Sequence, residues 1–148
     1  MKKTKLLFAL FLLFTASIHA QQEFKIVTVV ESIVPMGLGR SRIVDNNATT
    51  DYQEFTTERT DGRRSNQREI SRSDLRIDEI EETKLLNFFS ATGINFQNIA
   101  SNDAIITSKI NTMLSDGWKL TFVTSGVESN AGPDDGQGIF ITRLFFSR

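Results

Sequence analysis

The stretch that decides the fold is Asp103-Ala104-Ile105-Ile106-Thr107-Ser108-Lys109-Ile110-Asn111-Thr112-Met113-Leu114-Ser115-Asp116-Gly117-Trp118-Lys119-Leu120-Thr121-Phe122-Val123-Thr124. Ile106, Ile110, Met113 and Leu114 recur at the spacing that lines one side of an α-helix, so a helix is expected over Asp103–Asp116. Ser101 or Asn102 can cap its first turn. Gly117 can adopt the left-handed conformation that ends a helix. Directly afterwards Trp118, Leu120, Phe122 and Thr124 alternate with Lys119, Thr121 and Val123, the period of a strand with one buried face.

Working outward, Gly138–Ser147 reads as a final strand with Phe140, Thr142, Leu144 and Phe146 on one side. Ile139, Ile141 and Phe145 share its other side with Arg143. The intervening Gly132-Pro133-Asp134-Asp135-Gly136 is a dense turn signal. Upstream, Phe24–Val34 is β-branched and apolar on both faces, as suits a central strand, and Ser41–Val44 returns as a short one. Tyr52–Thr57 suggests a further strand. Asp78 stands three residues before Glu81, and Ile80, Leu85, Phe88 and Phe89 then follow at nearly helical intervals. They predict a helix closed by Gly93. Ile94–Ala100 reads as a buried connection anchored by Phe96 and Ile99. The expected class is α+β: an antiparallel sheet of about four strands with one or two helices packed on one face.

The N-terminus carries Lys2, Lys3 and Lys5, then the apolar run Leu6–Phe14, then Thr15-Ala16-Ser17-Ile18-His19-Ala20. Nine apolar residues fall well short of the ~20 that cross a bilayer, and the three-part order is that of a cleavable secretory signal. Residues 1–20 are therefore expected to be a signal peptide and 21–148 a single domain, exported to the periplasm or the extracellular space. No integral membrane segment is expected after cleavage. Loss of the three lysines lowers the basic residues from 17 to 14 against 18 acids, a formal charge of −4. The single histidine, His19, departs too, and the chain has no cysteine. Between 45 and 78 the composition turns polar and charged, predicting a partly mobile excursion.

Lys25-Ile26-Val27 at the start, Ile110–Leu114 on a helix, Asp116-Gly117-Trp118-Lys119-Leu120 entering a strand and Phe145-Phe146-Ser147-Arg148 at the end form a recognisable set. It resembles a family of short bacterial domains of unknown function, marked by an Asn-bearing helix running into Gly-Trp-Glu-Leu-Val and by a terminal Phe-Lys-Arg. Lys119 stands here where that pattern has Glu, and Ser147 where it has Lys. The segment from about Gly37 to Ile99 is an insertion that the short members lack. Gly37–Arg42 and Thr124–Glu128 are similar to stretches of exported proteins of Bacteroidetes-type bacteria. The resemblance implies a fold and a compartment, and no activity.

Without histidine or cysteine the mature chain cannot build a Ser-His-Asp or Cys-His nucleophile, or a zinc site of nitrogen and sulfur ligands. No catalytic residue is assigned. Carboxylate pairs still permit acid–base work, so an enzyme acting on an extracellular polymer stays open as an alternative. A small-ligand carrier is another, and it requires a largely apolar pocket.

Arg40 and Arg42, beside Gly37 and Gly39, offer guanidinium forks to an anion, although a tight turn explains the same residues. Neither nucleotide-binding fingerprint is complete, and no cofactor is expected. Glu128, Asp134 and Asp135 can supply oxygen ligands to calcium, against which stands a simple Asp-Gly turn. Trp118 is either a core aromatic or a surface for stacking a ligand. Eight arginines between Arg40 and Arg76 are matched by seven acids, and the charge of −4 argues against nucleic acid. The leading expectation is a binding or interaction module with a protein partner or self-association, for which an edge strand near the insertion is one route.

Overall fold

A computed structural model describes residues 22–33, 41–90, 92–128 and 138–148. Among the described residues there are seven strands: β1 Phe24–Ser32, β2 Arg42–Asp45, β3 Glu81–Lys84, β4 Phe89–Ser90, β5 Gly93–Ile94, β6 Lys119–Val127 and β7 Ile139–Ser147. One long helix, α1, spans Phe96–Ser115. Five strands make an antiparallel sheet in the order β3-β2-β1-β7-β6, while β4 and β5 pair separately. The class is α+β, with one strand more in the sheet than the sequence suggests.

β1 occupies the centre, as its apolar residues on both faces require. It pairs with β7 along its whole length, Phe24 facing Ser147 and Ser32 facing Ile139. Pairing keeps partners on the same side, so the alternation of both strands places Val27, Val29, Leu144 and Phe146 together. These join Ile43, Leu85, Met113 and Trp118 in the core, and Ile105, Ile106 and Ile110 of α1 pack against it. Phe24, Ile26, Ile141 and Phe122 point the other way and remain exposed.

α1 begins earlier than its apolar stripe indicates. Asn95 caps it by accepting hydrogen bonds from the backbone N–H groups of Gln97 (3.0 Å) and Asn98 (3.2 Å). The segment expected to be a buried connection is thus largely helical, and Phe96 stands 77% exposed. Leu114 also faces out, because Met113 alone of that adjacent pair meets the sheet. At the other end Gly117 takes φ +86°. The Trp118 N–H then donates to the Met113 carbonyl (3.0 Å) and that of Gly117 to Leu114 (3.1 Å), a Schellman stop.

Two local expectations are corrected. Residues 78–93 do not form a helix. β2 leaves one edge unpaired by β1, and Glu81–Lys84 fill it, with Asp45 opposite Glu81 and Arg42 opposite Lys84. The Leu85 N–H continues the ladder to the Ser41 carbonyl (3.0 Å). Ladder pairing outweighs the helical spacing, of which only Leu85 is fully buried. Gly93, with φ +113°, serves the β4–β5 hairpin instead. Tyr52–Phe55 is a 3-10 turn capped by Asp51, not a strand. Between 46 and 80 the chain holds only that turn, a second at Asn66–Glu69 and one helical turn at Arg72–Leu75. The expected signal segment lies outside the described residues.

Candidate functional site

Polar groups buried on the β3 side of the sheet are fastened to one another. Asn102, fully buried on α1, accepts from the Leu86 N–H (2.8 Å) and donates to the Leu86 carbonyl (2.8 Å) and to Glu31 Oε1 (3.0 Å). One amide thereby satisfies the backbone of an irregular segment that has no ladder partner there. Burial raises the Glu31 carboxyl above its ordinary value, the hydrogen bond from Asn102 opposes this, and the nearby Asp103 carboxylate adds to it. Asp45 is buried between Lys25 (3.0 Å) and Lys109 (2.6 Å), which ties β1, β2 and α1 together. Its Oδ1 has no well-directed hydrogen bond, but the ammonium of Lys25 lies beside it and supplies the compensating charge. Ser41 accepts from the Ser32 N–H (2.9 Å) and donates to Asn87 Oδ1 (2.9 Å).

The β6 side is built differently. β6 is the outermost strand, and all nine of its residues are exposed. The expectation of a buried face on this strand is therefore corrected. Its alternation is broken by a bulge: Leu120 lies opposite Phe146 and Phe122 opposite Phe145, leaving Thr121 without a partner residue. Leu120 and Phe122 consequently project to opposite faces, although they are two apart. Phe122 stacks in tilted contact with Phe145 (5.8 Å between centroids), yet remains 61% exposed. Val123 and Val127 are 47% and 59% exposed on the side of the sheet that carries the core.

A shallow groove of about 530 Å³ runs over the β6–β7 pair, lined by Thr124, Gly126, Glu128, Ile139, Ile141 and Arg143 among others. A second, of about 400 Å³, gathers Asp78, Glu79 and Glu81 beside Asn47. Arg76 already engages Asp78 (2.8 Å), and the Asn47 amide donates to Glu81 (3.1 Å). A third groove, of about 530 Å³, is mainly polar and reaches from Glu23 and Lys25 to Trp118 and Arg148. Among the described residues no cluster of histidine, cysteine or acidic side chains is arranged to hold a metal ion.

The residues singled out in the sequence are scattered. Arg42 lies on β2 in an ion pair with Glu82, while Arg40 lies outside the described residues. Glu128 borders the β6–β7 groove, but Asp134 and Asp135 also fall outside. Trp118 is only 8% exposed, and the Arg148 guanidinium sits 4.4 Å above its ring. Arg148 is itself paired with Glu23 (2.6 Å), so one guanidinium joins the residue before β1 to the aromatic ring at the start of β6. The β6 edge as a whole escaped notice in the sequence because exposure there depends on strand order. Among the described residues, no helix is long and apolar enough to cross a membrane. Comparison with protein families, with curated proteins and with solved structures finds no match.

Proposed function

We propose that the protein is an exported interaction module that binds a protein partner through the β6 edge and the open sheet face beside it. The observation that carries this reading is a nine-residue edge strand with two Val, two Thr and one Phe, exposed on both faces. Such an edge offers a row of N–H and C=O groups to another chain, with alternate side chains to select it. The signal-like N-terminus supports export, and kinship with the short bacterial domains is part of the same proposal. The residues of that resemblance serve a helix stop and a core aromatic here, which fits a shared way of folding.

A photo-crosslinking residue at Thr124, in the full chain expressed in cells that export it, tests the reading. Adducts from Thr124 and few from Thr83 on β3 are expected. Equal yields from the two strands, or none from Thr124, would overturn it. The carboxylate-enzyme alternative rests on the groove at Asp78, Glu79 and Glu81. It predicts that the purified protein cleaves extracellular polysaccharide and that Glu79→Gln abolishes cleavage.

A further inference from the structure

We propose that the partner of the β6 edge is the β6 edge of a second copy of this chain, paired antiparallel about a twofold axis at Thr124. This deepens the interaction-module reading and rests on it. The argument comes from the order of side chains along one face of the strand. Pairing with β7 places Lys119, Phe122, Thr124 and Gly126 on the open face, opposite Ser147, Phe145, Arg143 and Ile141 respectively. Glu128 follows in the same alternation and borders the groove on that face.

An isologous contact maps this series onto its own reverse. With Thr124 facing Thr124, Phe122 of each copy faces Gly126 of the other, and Lys119 faces Glu128. The remaining positions match as well, Val123 with Ser125 and Leu120 with Val127. Each open-face pair is complementary. A Cβ built on Gly126 meets nothing within 4 Å, so the space above its backbone is free for an aromatic ring. Cross-strand cover of an edge glycine by an aromatic side chain is a known stabilising device. Opposite charges meet at both ends, and a Thr–Thr pair sits at the axis. The bulge matters here, because skipping Thr121 is what brings Lys119 onto the face of Glu128. Without it, the ionic pairs would project to opposite sides of the sheet.

β3 does not offer the same opportunity. It is four residues long, carries Glu81, Glu82 and Lys84, and Glu82 is already engaged by Arg42. Self-pairing through β6 therefore yields one continuous ten-stranded sheet that ends in a charged β3 edge on both sides.

The chain has no cysteine, which makes the test direct. Full-length protein is produced with export and purified, and its mass is measured by sedimentation at micromolar concentration. Thr124→Cys and Thr83→Cys are then oxidised side by side. Directly opposed residues of an antiparallel pair lie about 4.5–5.5 Å apart at Cα, within the span of a disulfide. Dimeric wild type, with Thr124→Cys crosslinking and Thr83→Cys not, is the expected result. Gly126→Val should leave the monomer folded, since its Cβ has space, and weaken self-association at least ~10-fold by occupying the place of the Phe122 ring.

A monomeric wild type whose Thr124→Cys variant crosslinks no better than Thr83→Cys overturns the proposal. If Thr124 still gives adducts with other proteins in cells, the interaction-module reading survives that failure. Crosslinking of Thr124→Cys with Gly126→Val dimerising like wild type overturns the register.

Discussion

The two sides of the sheet are finished in opposite ways. Beyond β1, the β2–β3 side is short, charged and sewn to the helix by Asn102, by Asp45 and by Asn98, whose amide donates to the Asn87 carbonyl at the end of the Ser32–Ser41–Asn87 chain. The β6 side has nine residues and is held by the β7 ladder, a small contact with α1, one aromatic contact and the hydroxyl contacts of Thr121 with the Phe145 carbonyl and of Ser125 with Thr142. Charge and brevity are the usual protections of an edge, and only one edge has them. What the contrast teaches is that the stability of this fold is concentrated away from β6. The side chains of β6 are thereby free to be chosen for something other than the core.

Substitutions on the two sides should therefore differ in cost. The largest effect is expected from Asp45→Ala, which strands two lysines around a buried site and should cost about 3 kcal/mol. Phe122→Ala, despite removing a whole ring, should cost the monomer under ~1 kcal/mol because the ring is mostly exposed. Urea denaturation of both variants at low protein concentration checks the pair. Equal losses would end the asymmetry.

Next comes Asn102→Ala, which takes from the Leu86 N–H and carbonyl their shared side-chain partner and removes a fully buried amide. A loss of about 2 kcal/mol is expected, with amide exchange accelerated at Leu86 before it rises in β7.

Glu31→Gln should act in the other direction. Burial and Asp103 raise the Glu31 pKa in the folded state, so folding favours its protonated form. Its contribution is therefore most favourable below the ordinary carboxylate value and is lost as pH rises through the raised one. Once ionised, the side chain is a net cost to the folded state. Glutamine keeps an acceptor for Asn102 and should raise the melting temperature by ~2 °C at neutral pH and not near pH 4. A gain that persists undiminished in acid would mean that Glu31 is not the cause.

The smallest effect belongs to Arg42→Ala. Its ion pair with Glu82 is half exposed and should be worth ~0.5 kcal/mol at most, vanishing in molar salt. A larger value would mean that the β3 edge needs its charges for stability as well as for protection.

Much of the frame was readable from local pattern. The alternation of Gly138–Ser147 and of Phe24–Val30, the stripe Ile106, Ile110 and Met113, and the stop at Gly117 each depend on neighbours in sequence. The failures have a common physical origin in tertiary pairing. Glu81–Lys84 became a strand because β2 had a vacant edge, and β6 lost its buried face because the sheet order put it outermost. The bulge at Thr121 then moved Phe122 across the sheet from Leu120, which no count of alternating residues reveals. Asn102 did leave a trace. It lies four residues before Ile106 on the inward stripe, a polar residue where an apolar one is due, and capping offered an easier explanation. Of the candidate site residues, Arg42 and Trp118 each have an intramolecular partner in the described structure. The edge that the function is now proposed to use is a property of topology.

The pairing of β1 with β7 has a consequence in time. The middle of the sheet joins its first and last strands, with Phe24 set against Ser147, so its innermost ladder is also its most distant in sequence. A chain emerging from the ribosome can wind α1 early, yet it cannot close the sheet's centre until Ser147 has appeared. Until then β1 has only β2 beside it and β6 has no neighbour at all. The centre of the sheet is thus the part whose closure must wait longest, after α1 and the β1–β2–β3 edge have what they need to form.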